Sequence, residues 1–74
     1  MEAKILIADD HSIVKMGLTA ILNRMGVRQV DTVSNIAELK DALTRNVYTH
    51  LVLDIIMPDG NSIELLEQLQ EHLS

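Results

Sequence analysis

Two aspartates at the end of one apolar run, and a third at the end of another, are the residues of this chain best placed to do chemistry. Asp9 and Asp10 follow the run at residues 5–8, and Asp54 follows the run at residues 51–53. As parallel strands of one open sheet, both runs end at the crevice where ligands collect, so the three carboxylates are expected to meet there. Carboxylates held that close raise one another's pKa values and destabilise the fold unless a cation shares them. Oxygen ligands without histidine or thiolate favour Mg2+, which keeps several waters and commonly pairs with phosphate oxygens. Phosphate chemistry on a divalent cation is the expected result.

The elements around the aspartates must supply that geometry. Ile5, Leu6, Ile7 and Ala8 run without alternation, the pattern of a parallel strand covered on both faces. Val14, Leu18, Ile21, Leu22 and Met25 recur at helical spacing over residues 12–25, and Gly26 supplies a left-handed stop. Residues 30–33 are rich in β-branched side chains but include Asp31 and Thr32, which suits an edge strand. Ser34 or Asn35 caps a second helix, with Glu38 three residues after Asn35; Ile36, Leu39, Ala42 and Leu43 mark its buried face and it ends near Arg45. A third strand, residues 51–53, leads through Asp54 to a turn with Pro58, Asp59 and Gly60. Asn61 or Ser62 then caps a helix with Ile63, Leu66 and Leu69 on one face, extended by Leu65 and Leu73. Strands alternating with helices predict right-handed crossovers, an α/β class and a βαβαβα topology with sheet order 2-1-3. Strands one and three are expected to be covered on both faces, with further strands beyond three.

Composition sets the outer bounds. A chain of 74 residues makes one small domain at most, and 47% hydrophobic content places it among globular chains rather than disordered ones. With Tyr48 the only aromatic besides the histidines and a net charge of -5, no base-stacking platform and no basic face for phosphate backbones or anionic lipid exists in this segment. Absence of cysteine excludes disulfides and thiolate zinc sites. The apolar run at residues 5–8 is too short for a signal-peptide core or a membrane span, and the chain is read as cytoplasmic.

Each part of the constellation also has a plain explanation. An acidic pair after a strand is often a solvated helix entry. His11 sits at a helix start, where imidazole is usually a partly exposed neighbour rather than a ligand. His50 and His72 have no spacing that joins them into a zinc site. Met16, Met25 and Met57 are simplest as packing or turn residues, and no glycine-rich phosphate loop occurs. The joint spacing is what is specific.

Residues 5–11 (ILIADDH) and 53–60 (LDIIMPDG), with the helix, strand and helix between them, resemble the receiver domain of bacterial response regulators, a CheY-like form of the flavodoxin-like fold. Asp10, His11, Val14, Gly17 and Leu18 are similar to the branch whose receivers precede a helix-turn-helix DNA-binding domain. The resemblance implies that Asp54 is the phosphoacceptor, taking its phosphoryl group from a sensor histidine kinase. It implies that Asp10 and Asp54 ligate Mg2+ directly, that Asp9 acts through bound water, and that the backbone carbonyl of Ile56 is a further ligand. Met57 and Pro58 would shape the following turn. It also implies a signalling domain rather than an enzyme, controlling transcription through a domain not contained in this segment.

On that basis residues 1–74 are expected to be a partial receiver holding the first three β/α units. Receivers continue through two more units, which carry a hydroxyl residue and a lysine reaching the phosphoryl oxygens. Neither has a counterpart in these residues, so cation binding is expected to survive while phosphorylation is slow. A second expectation, of another class, is an interaction module: the open edge of strand three would pair with a second copy and form a homo-oligomer. A Mg2+-dependent phosphatase with an aspartyl nucleophile is disfavoured, because Ile55 and Ile56 follow Asp54 and no second carboxylate stands two residues on.

Overall fold

A computed structural model describes residues 2–73, with the side chains of His72 and Leu73 outside the described residues. The elements run β1 (Lys4–Ala8), α1 (Ser12–Arg24), β2 (Gln29–Val33), α2 (Ile36–Arg45), β3 (His50–Leu53), β4 (Ile56–Met57), β5 (Gly60–Asn61) and α3 (Ser62–Leu73). β1, β2 and β3 form one parallel sheet in the order β2-β1-β3, as the sequence predicts. Ala8 stands level with Val33 on one side and with Leu53 on the other.

Because successive side chains of a strand point to opposite faces, β1 divides its apolar run between two layers. Leu6 and Ala8 join Leu39 of α2, Met57 of β4 and Leu65 of α3 in the core, with Val33, Ile36, Leu43, Tyr48, Leu53 and Leu69 packed around them. Ile5 and Ile7 are buried on the opposite face of the strand. Burying a side chain such as Leu6 or Leu39 removes it wholly from water and stabilises the fold by about 2 kcal/mol.

Three helix ends follow from local chemistry. α1 stops at Gly26, whose φ of +93° lets its N–H reach Asn23 while the N–H of Val27 reaches Leu22 at 3.0 Å, satisfying carbonyls of the last turn. At the start of α2, Asn35 Oδ1 accepts from Glu38 N–H at 2.8 Å, and Glu38 Oε1 accepts from Ser34 N–H at 2.8 Å. The remaining donors of that turn, Ile36 and Ala37, reach the carboxylate of Asp59 at 2.7 and 3.1 Å, a residue 23 positions further on. These bonds favour the ionised form, so Asp59 sits below the usual carboxylate range, first through the Ile36 N–H. α3 is capped by Asn61 Oδ1, which accepts from Ile63 and Glu64.

Five expectations need correction. β3 is an edge of the described sheet rather than a strand covered on both faces: Leu51 is 38% and Val52 42% exposed, because β1 is its one neighbour. Helix α1 buries none of its residues completely; Leu18 and Leu22 are half-buried, whereas Val14, Ile21 and Met25 are exposed, because among the described residues no second helix lies beside α1 on that face. Met16 is 72% exposed on α1 and neither packs nor turns, whereas Met25 stands in the turn that closes α1 and Met57 belongs to the core, as the sequence suggests. The buried line of α3 runs through Ser62, Leu65 and Leu69, with Ile63 exposed. Leu73, expected to extend that line, lies outside the described side chains. The segment read as a plain turn is a small antiparallel hairpin of β4 and β5, in which Gly60 has φ +154° and a Cβ would stand 3.3 Å from Ile36 Cγ1.

Two substitutions separate capping from packing. Asn35→Ala is expected to lower stability by about 1 kcal/mol through the lost cap, and Leu39→Ala by about 3 kcal/mol through the cavity it leaves. Urea unfolding followed by circular dichroism reads both, and an Asn35→Ala loss as large as that of Leu39→Ala would contradict the assignment.

Candidate functional site

The site begins with register. Ala8 pairs with Leu53, so the residues that follow them, Asp9 and Asp54, leave the sheet side by side at its carboxyl end. Asp9 N–H donates to Val33 O at 3.1 Å and Asp54 N–H to Ala8 O at 2.8 Å, which extends the ladder by one bond on each side of β1. Asp10 comes with Asp9 at the entry to α1. Asp9, Asp10, His11 and Asp54 each bring one ligand atom into a group whose members all lie within 4.8 Å of one another.

The three carboxylates named from the sequence are therefore together. His11, read there as a partly exposed neighbour rather than a ligand, is drawn in as well. Its Nδ1 stands 2.7 Å from Asp9 Oδ1 and 3.2 Å from Asp10 Oδ1, and its backbone N–H donates to the same Asp9 oxygen at 2.8 Å. The His11 side chain holds the N-cap position of α1 without capping it and is 65% exposed. The signal was its place directly after two aspartates at a helix start, which lets an imidazole fold back over the carboxylates.

Electrostatics follow from that contact. The Asp9 carboxylate lies below its ordinary range, first because it accepts the His11 backbone N–H and then because it faces the ring. The imidazole pKa is raised, first by the Asp9 hydrogen bond and then by the charge of Asp10. An imidazolium thus offsets one of the three negative charges while the pH is low enough to keep it protonated.

Ile56 opens β4 opposite Asn61, and its side chain is 68% exposed, so any part it plays toward a cation is through its main chain. Two residues named in the sequence only as a turn residue and as one of two candidate helix caps have other roles. Asp59 ties the β4–β5 turn to the start of α2. Ser62 is completely buried and donates its hydroxyl to the Asp54 carbonyl at 2.8 Å. Neither carried a signal in the sequence, since a turn aspartate and a helix-start serine are equally common as solvated residues.

The donor set suits a hard divalent ion. Carboxylate oxygens from two strand ends converge at a partly exposed place, with side-chain exposures of 17% for Asp9 and 35% for Asp10 that leave room for bound water. Among the described residues no helix is long and apolar enough to cross a membrane.

Comparison with known proteins places these features in context. A sequence profile described as the response regulator receiver domain matches residues 5–74. The transcriptional regulatory protein LytR of Staphylococcus aureus (strain N315) is 35% identical over 69 residues, which cover 92% of this chain and 28% of LytR. A protein-glutamate methylesterase/protein-glutamine glutaminase of Archaeoglobus fulgidus is 31% identical over 68 residues, 92% of this chain and 20% of that protein. The MaeR response regulator bound to beryllium trifluoride superposes with a TM-score of 0.85 at 28% identity, over 95% of this chain and 58% of MaeR. A mutant of MaeR bound to sulfate gives a TM-score of 0.86 at 25% identity, over the whole chain and 62% of that structure. The chain thus spans under a third of the curated relatives and about three fifths of the solved structures.

The His11 contact makes a titration prediction. A raised folded-state pKa contributes stability that is fully present below the unfolded value of about 6.5 and is lost as pH rises through the raised value. Resonances of the His11 ring, followed by NMR, are expected to titrate above that value, and Asp9→Asn to return the midpoint toward it. A midpoint that ignores Asp9→Asn would refute the contact.

Proposed function

Because the chain belongs to the response regulator receiver family of two-component signalling, we propose that Asp54 is its phosphoacceptor and that a sensor histidine kinase is its phosphoryl donor. The observation that carries this reading is the convergence of Asp9, Asp10 and Asp54 at the carboxyl end of one parallel sheet, in a setting open to solvent. Residues 1–74 are read as the first three β/α units of the receiver, and control of transcription through a DNA-binding domain belongs to the same proposal.

The residues divide the work. A carboxylate oxygen of Asp54 attacks the phosphorus of a phosphohistidine; a P–O bond forms, the P–N bond breaks, and the imidazole leaves with the electron pair. Asp10 and Asp54, with the carbonyl of Ile56, would hold Mg2+ directly, and Asp9 would hold it through water. When bound, that ion neutralises charge on the transferring phosphoryl group. Asp9 and Asp10 keep the site acidic enough to recruit it, while the ladder bond from Asp54 N–H to Ala8 O keeps the nucleophile at the rim rather than in the core.

A specific observation favours a second role. The β2 edge is blunted by Gln29, Asp31 and Thr32, whereas the β3 edge presents the half-exposed apolar residues Leu51 and Val52 beside unpaired backbone groups. We infer that two copies pair through β3 and continue the sheet.

Each role has its own measurement. Adding Mg2+ with beryllofluoride is expected to perturb the spectrum of the wild-type chain and to leave Asp54→Asn unchanged; a chain that ignores the pair, or an Asp54→Asn variant that still responds, would rule out the phosphoacceptor role. Sedimentation at micromolar concentration is expected to give a dimer that Val52→Lys converts to monomer. A compact wild-type monomer would remove the β3 pairing.

A further inference from the structure

Ser62 is the one polar side chain that is completely buried among the described residues. It opens α3, but it does not cap it: Asn61 Oδ1 already accepts from the N–H groups of Ile63 and Glu64, at 2.8 and 3.3 Å. The hydroxyl is therefore free for another partner, and it turns back along the chain to donate to the Asp54 carbonyl at 2.8 Å. The backbone N–H of the same residue donates to the Ile55 carbonyl at 2.9 Å. On the other side, Asp54 N–H is bonded to Ala8 O at 2.8 Å.

The main chain of Asp54 is thus gripped at both ends, by the central strand through its N–H and by Ser62 through its C=O. Two consecutive carbonyls, those of Asp54 and Ile55, are turned toward the start of α3, which fixes the peptide planes leading into Ile56. We propose that Ser62 is a positioning residue for the phosphoacceptor, its hydroxyl and amide together setting the aim of the Asp54 carboxylate and the path of the chain at Ile56. The proposal rests on the reading of Asp54 as the residue that faces cation and phosphoryl group. Without the hydroxyl, the part-buried Asp54 carbonyl loses the donor that Ser62 supplies, and its peptide is free to turn toward another. Loss of such a supporting partner lowers metal affinity by about tenfold to a hundredfold, and displacement of a reacting group by about 1 Å costs a comparable factor in rate.

Titration with Mg2+ alone, read by calorimetry, and with Mg2+ plus beryllofluoride, read by fluorine NMR, tests this on the 74-residue chain. Ser62→Ala is expected to weaken Mg2+ binding by tenfold or more. Leu69→Ala, which loosens the core away from Asp54, is expected to change it by less than twofold at a temperature where both variants are folded. Equal affinity in Ser62→Ala and wild type would overturn the proposal, as would an equal loss in Ser62→Ala and Leu69→Ala. Should Ser62→Ala fail to fold, Ser62→Cys, with a weaker donor of similar size, is expected to bind Mg2+ measurably less tightly than wild type, and wild-type affinity there would overturn the proposal. The two readings fail differently. A response lost in Asp54→Asn but intact in Ser62→Ala removes the positioning role alone, whereas a wild-type chain that takes up neither probe removes both.

Discussion

The pairing of β1 with β3 in a single register is the constraint on which the rest of the molecule depends. A strand that slips by one residue turns every side chain to the opposite face. With Ala8 level with Leu53, the core receives Leu6 and Ala8, and the aspartates that follow leave the sheet together. A slip of one position would send Ile5 and Ile7 toward Leu39 and Leu65, and would separate Asp9 from Asp54. The same pairing that builds the hydrophobic layer therefore also assembles three like charges, and neither outcome can be had alone.

What stands against those charges is local. His11 folds back over Asp9 and Asp10 from the first turn of α1, and Asp9 meets both its ring and its amide. The segment from Asp54 to Ser62 is held from three sides: Met57 is sunk in the core, Asp59 binds the first amides of α2, and Ser62 binds the carbonyls that leave β3. A loop that must carry a reactive carboxylate is thus tied to two helices and the sheet, so it gains rigidity without burying the carboxylate itself.

The sequence made the layered plan legible because periodicity reports burial directly. The unbroken run of β1, the polar interruptions of β2, Gly26 at the end of α1 and Asn35 at the start of α2 each express a local requirement, and each was read from residues close in sequence. The convergence of Asp9, Asp10 and Asp54 was legible for the same reason, since it needs only strand ends and strand order. What escaped depends on distant partners. Asp59 caps a helix 22 and 23 residues earlier, Ser62 is buried by tertiary packing, and the exposure of Val14, Ile21 and Met25 reflects which neighbours the α1 face lacks. Helical spacing marks a face that can be buried; it does not say whether anything covers it.

The placement of β1 has a consequence for synthesis. The central strand is the first to be made, yet its last neighbour arrives much later, since Lys4 meets Thr49 across 45 residues. At about 5–20 residues per second, the edge of β1 that receives β3 stays open for roughly 2 to 9 s. During that interval Ile5, Leu6, Ile7 and Ala8 form the kind of short apolar stretch that recruits other nascent chains. Lys4 stands at one end of it and Asp9 with Asp10 at the other. Charge at both ends of so short an apolar run is the arrangement that disfavours pairing with the wrong chain before the right partners emerge.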